Sequence, residues 1–74
     1  MSSEDLDVAQ AEYEIGKDAF ERGEYRKSVH HLEQAKASIN LQSRLGGEIQ
    51  TWLVTAYEAA GQRAAALELC RSIS

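Results

Sequence analysis

The sequence predicts an all-α fold of four helices arranged as two stacked antiparallel hairpins, and three observations carry that prediction. Proline never occurs, and 40 of the 74 residues are the strong helix formers Ala, Leu, Glu, Gln, Lys and Arg. Apolar residues recur at spacings of three and four along four separate stretches, while the alternation that marks a half-buried strand is missing. The strongest punctuation is glycine, and Gly23 and Gly61 each fall between two apolar stretches.

The first stretch runs Val8, Ala11, Ile15, Ala19, with Phe20 beside it. Ser2 or Ser3 can cap its start, and Glu4, Asp5 and Asp7 suit the positive end of the helix dipole. Gly23 suits a left-handed cap after Arg22. The second stretch runs Tyr25, Val29, Leu32, Ala35, Ile39, with Lys27, His30, Glu33 and Gln34 on the opposite face, and ends near Asn40. The third runs Leu41, Leu45, Ile49, Leu53, Ala56, Ala60, with Asn40 or Ser43 as N-cap and Gly61 as its close. The pair Gly46-Gly47 weakens its first turn by about 1 kcal/mol per glycine, which allows a start as late as Glu48. The fourth contains Ala66, Leu67, Cys70 and Ile73.

A chain of 74 residues holds one compact unit, taken as a single domain over residues 1–74. A lone cysteine forms no internal disulfide and fits a reducing, cytoplasmic setting. The net charge of −4 argues against nucleic acid as a partner, because that affinity rests on Lys and Arg neutralising phosphates. The acidic opening stretch lacks the basic start of a signal peptide, and no apolar run reaches the roughly 18 to 20 residues of a membrane span.

No pattern for catalysis or a cofactor emerges, so the chain is expected not to be an enzyme and to bind neither cofactor nor metal. Phosphate loops, zinc-binding His pairs and nucleophile elbows are absent from the sequence. His30 and His31 are adjacent on a helix, so they point about 100° apart and cannot chelate one metal; a solvated face is expected for both. Cys70 shares the helical phase of Ala66 and Ile73, which predicts a small core residue. Glu12, Glu14, Asp18 and Glu21 are expected as solvated charges, with Asp18 and Arg22 placed for an i, i+4 pair.

The chain also repeats itself. Ile15-Gly16-x-x-Ala19-Phe20-x-x-Gly23-x-Tyr25-x-x-Ser28-Val29-x-x-Leu32-x-x-Ala35 matches Leu53-Val54-x-x-Tyr57-x-x-x-Gly61-x-x-x-x-Ala66-Leu67-x-x-Cys70-x-x-Ile73 when Gly23 is set on Gly61. This pattern resembles the tetratricopeptide repeat, with one repeat over about residues 9–40 and a second over about 47–74 that lacks a C-terminal capping helix. Ile15, Gly16, Gly23, Tyr25, Ser28, Leu32 and Ala35 occupy signature positions in the first repeat; Leu53, Tyr57, Gly61, Ala66 and Cys70 do so in the second. Ala19, Val54, Arg63 and Ile73 depart from the signature, and the offset of the repeats exceeds the usual length of about 34 residues. The surplus fits a longer connection or an extended third helix around Asn40 to Gly47. Small residues at Gly16 and Ser28 let the first two helices approach closely, while Tyr25 and Leu32 fill the space between repeats.

The resemblance implies a fragment of a right-handed superhelix and a non-catalytic protein-protein interaction module. Its concave groove, lined by the first helix of each repeat, would hold a peptide or partner helix. Carried over by position, that groove holds Tyr13, Glu14, Lys17, Glu21, Glu48, Thr51, Trp52, Thr55 and Glu58, with Gln10 and Phe20 alongside. Trp52 reads equally as core or as exposed anchor. Four glutamates oppose one lysine there, so the expected partner is neutral or basic with an apolar anchor. Two alternatives stand beside this reading. One is a homo-oligomeric assembly element that dimerises through the uncapped fourth helix. The other is a three-helix bundle of the microtubule-interacting-and-trafficking type.

Overall fold

The computed structural model describes residues 3–40 and 42–73 of the chain. Four helices follow in order: α1 (Ser3–Glu21), α2 (Tyr25–Ala37), α3 (Arg44–Ala59) and α4 (Arg63–Ile73). Each packs on its sequence neighbour, α1 also touches α3, and among the described residues there is no strand. The architecture is therefore two antiparallel hairpins, α1–α2 and α3–α4, joined through α2 and α3. A three-helix bundle does not describe it, because α4 is a full helix packed on α3.

Two glycines make the hairpins. Gly23 and Gly61 have φ of +81° and +80°, a left-handed conformation that costs any other L-residue about 1–2 kcal/mol. At the first turn the Gly23 amide donates to the Phe20 carbonyl at 3.0 Å and the Glu24 amide to the Ala19 carbonyl at 2.9 Å. At the second, Gly61 donates to Glu58 at 3.1 Å and Gln62 to Tyr57 at 2.7 Å. The two caps match bond for bond at the offset that aligns the sequence repeat, and each satisfies carbonyls that a helix end leaves orphaned.

The connection between hairpins is longer, and its polar side chains shape it. The Gln42 amide donates to Asn40 Oδ1 at 2.9 Å, and the Ser43 hydroxyl donates to the Asn40 carbonyl at 2.6 Å. Ser43 then caps α3 by accepting from the Gly46 amide at 3.0 Å. Of the expected starts for α3, Ser43 is the cap, and neither Asn40 nor Glu48 begins the helix. α3 therefore does not extend back to Asn40, and the segment after Ala37 forms this connection instead.

The core is one cluster shared by all four helices, with Leu32, Ile49 and Leu53 fully buried at its centre and Ala9, Tyr13, Tyr57, Ala66 and Leu69 around them. Across the first hairpin, the Ser28 hydroxyl donates to the Gly16 carbonyl at 2.7 Å in a fully buried setting. A Cβ at Gly16 would stand 2.7 Å from Leu32 Cγ. The helices pack at this distance because neither position carries a larger group.

Several apolar phases differ from expectation. On α1, Val8, Ala11 and Ile15 are exposed, and Ala9, Tyr13 and Gly16 are buried in their place. α1 turns Ala9, Tyr13, Gly16 and Ala19 inward, because close approach to α2 excludes branched side chains there. On α4, Leu67 and Cys70 are exposed while Ala66 and Leu69 are buried, so Cys70 is not a core residue. The α2 phase holds at Val29, Leu32, Ala35 and Ile39, but Tyr25 lies exposed at the helix start. On α3, Ile49, Leu53 and Ala56 are buried, with Leu45 and Ala60 half-buried. Leu41, the Ser2 cap and the Ile73 side chain lie outside the described residues.

Two polar pairs tie neighbouring helices together. His31 Nδ1 stands 2.6 Å from Glu12 Oε2, joining α2 to α1, so this histidine and this glutamate are half-buried partners rather than solvated charges. His30 is exposed. The Tyr57 hydroxyl donates to Glu33 Oε2 at 2.6 Å, joining α3 to α2. The surface pair of Asp18 and Arg22 forms at 2.9 Å.

One substitution should have opposite signs at two glycines. Gly16→Ala gains about 1 kcal/mol of helix propensity but meets Leu32, and such overpacking costs about 1–3 kcal/mol, so the expected result is a net loss of stability. Gly47 has nothing within 4 Å of a built Cβ, so Gly47→Ala stabilises by up to about 1 kcal/mol. Urea unfolding of both variants measures this.

Candidate functional site

α1 and α3 flank an open cavity of about 460 Å³ lined by Tyr13, Arg44, Gly47, Glu48, Thr51 and Trp52. Tyr13 reaches it because the small residues Ala9 and Gly16, on the same face of α1, draw that helix inward. Its ring is almost fully buried, while Trp52 is half-buried and packed against the core. Trp52 is thus packed against the core and also lines the cavity.

Aromatic rings continue the wall. Phe20 meets Trp52 edge-on at 5.5 Å between centroids, and Tyr25 meets Phe20 edge-on at 5.1 Å. Such pairs add about 0.5–1.5 kcal/mol beyond the area they bury and hold each ring in one orientation. Trp52 is therefore a braced surface.

The charges are arranged around that wall. Lys17 Nζ sits 4.6 Å from the centroid of the Tyr13 ring and 3.8 Å from Glu14 Oε1, so it is engaged twice within its own helix. Burial first, then the negative charges of Glu48 and Glu14, push the Tyr13 hydroxyl above its ordinary titration range. The Thr51 and Thr55 hydroxyls donate back to the Gly47 and Thr51 carbonyls at 3.0 and 3.1 Å, which commits these donors to their own helix.

Of the residues expected in the groove, Tyr13, Glu48, Thr51 and Trp52 line this cavity together. Glu14 and Lys17 sit at its α1 edge through the Tyr13 ring. Gln10, Glu21 and Thr55 are exposed and stand outside it. Glu58 lines a different cavity, of about 370 Å³, with Arg63, Ala66, Leu67 and Cys70. Arg44 and Gly47 were not anticipated. The signal for Arg44 was the Ser43 cap, which puts Arg44 one turn before Glu48 on the same helix face.

Among the described residues, no group of three or more His, Cys, Asp and Glu side chains is placed to hold a metal ion. No described helix is long and apolar enough to cross a membrane. Comparison with protein-family models, with curated proteins and with solved structures gives no match to this chain.

The tyrosines give a pH dependence. Burial, followed by Glu33, raises the Tyr57 hydroxyl well above the ordinary value of about 10, in the same direction as Tyr13. The unfolded chain then releases protons that the folded chain retains, so stability is full below pH of about 10 and falls as pH rises beyond it. In a Tyr25→Phe, Tyr57→Phe chain, Tyr13 alone reports tyrosinate absorbance. Glu48→Gln in that background should move its titration downward and shrink the alkaline loss of stability.

Proposed function

We propose that the chain is a non-catalytic protein-interaction module, a pair of tetratricopeptide-like repeats that holds a peptide or partner helix between α1 and α3. One observation carries this reading. Trp52 is braced by Phe20 and by the core, yet keeps a face on an open cavity whose other wall is Tyr13. A rigid, partly desolvated tryptophan beside a tyrosine offers an apolar anchor site with little conformational entropy left to lose.

Charge narrows the partner. Glu48 lines the cavity and Glu14 stands at its edge, Lys17 is occupied by Glu14 and Tyr13, and Arg44 offsets one carboxylate at the start of α3. A neutral or basic segment with one apolar side chain between Tyr13 and Trp52 fits best. Nucleic acid does not suit a chain of net charge −4. The exposed thiol of Cys70 suits a reducing, cytoplasmic setting.

Trp52 is the only tryptophan in the chain, so its fluorescence reports directly on the groove. A basic amphipathic peptide should shift that emission and saturate, and an acidic peptide should bind more weakly. Glu48→Gln should weaken the basic peptide, and Trp52→Ala, followed by calorimetry, should cost about 2 kcal/mol, roughly a thirtyfold loss. Tighter binding of the acidic peptide would refute this reading.

A further inference from the structure

The internal repeat of this fold gives a second surface an occupant. Adding 38 to a residue number in the first hairpin gives its counterpart in the second, as the two glycine caps show bond for bond. The exposed stripe on α1 is Val8, Ala11 and Ile15, with Val8 and Ile15 at 48% and 41% exposure. Its counterparts on α3 are Gly46, Ile49 and Leu53, all buried, the last two in the cluster that also holds Val29 and Leu32 of the first hairpin. α1 therefore displays, uncovered, the face by which α3 docks.

The receiving side shows the reciprocal relation. Val29 and Leu32 of α2 are buried in the cluster that holds Ile49, Leu53 and Tyr57 of α3. Their counterparts on α4 are Leu67, at 61% exposure, and Cys70, also exposed. Both line the cavity of about 370 Å³, whose remaining lining residues, Glu58, Arg63 and Ala66, correspond to Phe20, Tyr25 and Ser28. By this correspondence the cavity is the counterpart, on α4, of the α2 surface in the cluster that holds α3.

We propose that α1 of a second copy of this chain occupies that cavity, so that copies associate head to tail. Charge favours this arrangement over the two symmetric ones. α1 carries seven acidic side chains and one basic, Lys17, whereas α4 carries Arg63 and Arg71 against Glu68. Pairing α1 with α1 sets like charges face to face, and pairing α4 with α4 leaves Val8 and Ile15 in water. Pairing α1 with α4 gives α1 a partner of the same sign as α2, which carries Arg26, Lys27 and Lys36 against Glu33. Glu58 and Arg63 make the second seat more polar than the Phe20–Tyr25 original, so association between copies is weaker than docking within one. Such a contact is heterologous and does not close on itself, so assemblies lengthen with concentration.

Ile15→Asp and Leu67→Asp test this by complementation, since each alters an exposed residue and circular dichroism should show an unchanged helical fold. In sedimentation equilibrium the wild-type average mass should rise with concentration past twice the 8.2 kDa chain mass, while each variant alone stays monomeric. An equal mixture of the two variants should form a one-to-one dimer and nothing larger, because only one productive knob and one productive seat remain. Both carry the same added charge, so recovery in the mixture separates the contact from a general charge effect. A wild-type chain that stays monomeric at its solubility limit overturns the proposal. So does a mixture that stays monomeric, or continued self-association of either variant alone.

Discussion

The close approach of α1 and α2 at Gly16 sets the geometry of everything else in the fold. The Ser28 hydroxyl spans the gap to the Gly16 carbonyl, and Leu32 fills the place where any side chain at Gly16 would stand. A buried hydroxyl must find a partner or lose about 1–3 kcal/mol, so Ser28 also fixes the rotation of α2 against α1. That rotation presents Val29, Leu32 and Ala35 as the surface on which Ile49 and Leu53 settle. The same approach turns Ala9 and Tyr13 inward, which places the Tyr13 ring opposite Trp52.

Polar contacts add specificity to this packing. Apolar burial holds the helices together but tolerates small rotations and slides. His31 to Glu12 and Tyr57 to Glu33 each link neighbouring helices through short hydrogen bonds, and each is satisfied in only one alignment. The interhelical pairs thus fix α1 to α2 and α2 to α3. Between α3 and α4 the alignment is set by the Gly61 turn and by Ala66 and Leu69 in the core. The second hairpin is consequently the more sparsely held of the two.

Divergence between the repeats divides their roles. The first hairpin keeps Gly16 and Ser28, and so packs closely; the second has Val54 and Ala66 in their places. Glu14 faces solvent on α1, whereas its counterpart on α3 is Trp52, half-buried beside Phe20. Phe20 in turn has Glu58 as its counterpart, so the aromatic contact between the hairpins has no equivalent beyond α4. Phe20, Tyr25 and Trp52 thus form one aromatic contact between the hairpins.

Four helices, the two left-handed glycine turns, the small pair Gly16 and Ser28, and the buried phase of α2 were all legible in the residues alone. These are local matters: proline, glycine and capping residues act on their own few neighbours, and α2 is sandwiched between α1 and α3, so its apolar stripe has one reading. Tyr13, Glu48, Thr51 and Trp52, grouped on one face by their sequence positions, do line one cavity. Which face of α1 turned inward depended instead on packing between helices. Val8, Ala11 and Ile15 form the more apolar stripe, and hydrophobicity alone selects it, but the α1–α2 distance admits only the face that carries Ala9 and Gly16. The same holds on α4, where Leu69 takes the inner position and Leu67 and Cys70 do not. An outer helix packs on one side only, so its apolar residues can exceed what that side can cover, and fit to the neighbouring helix decides which of them are buried.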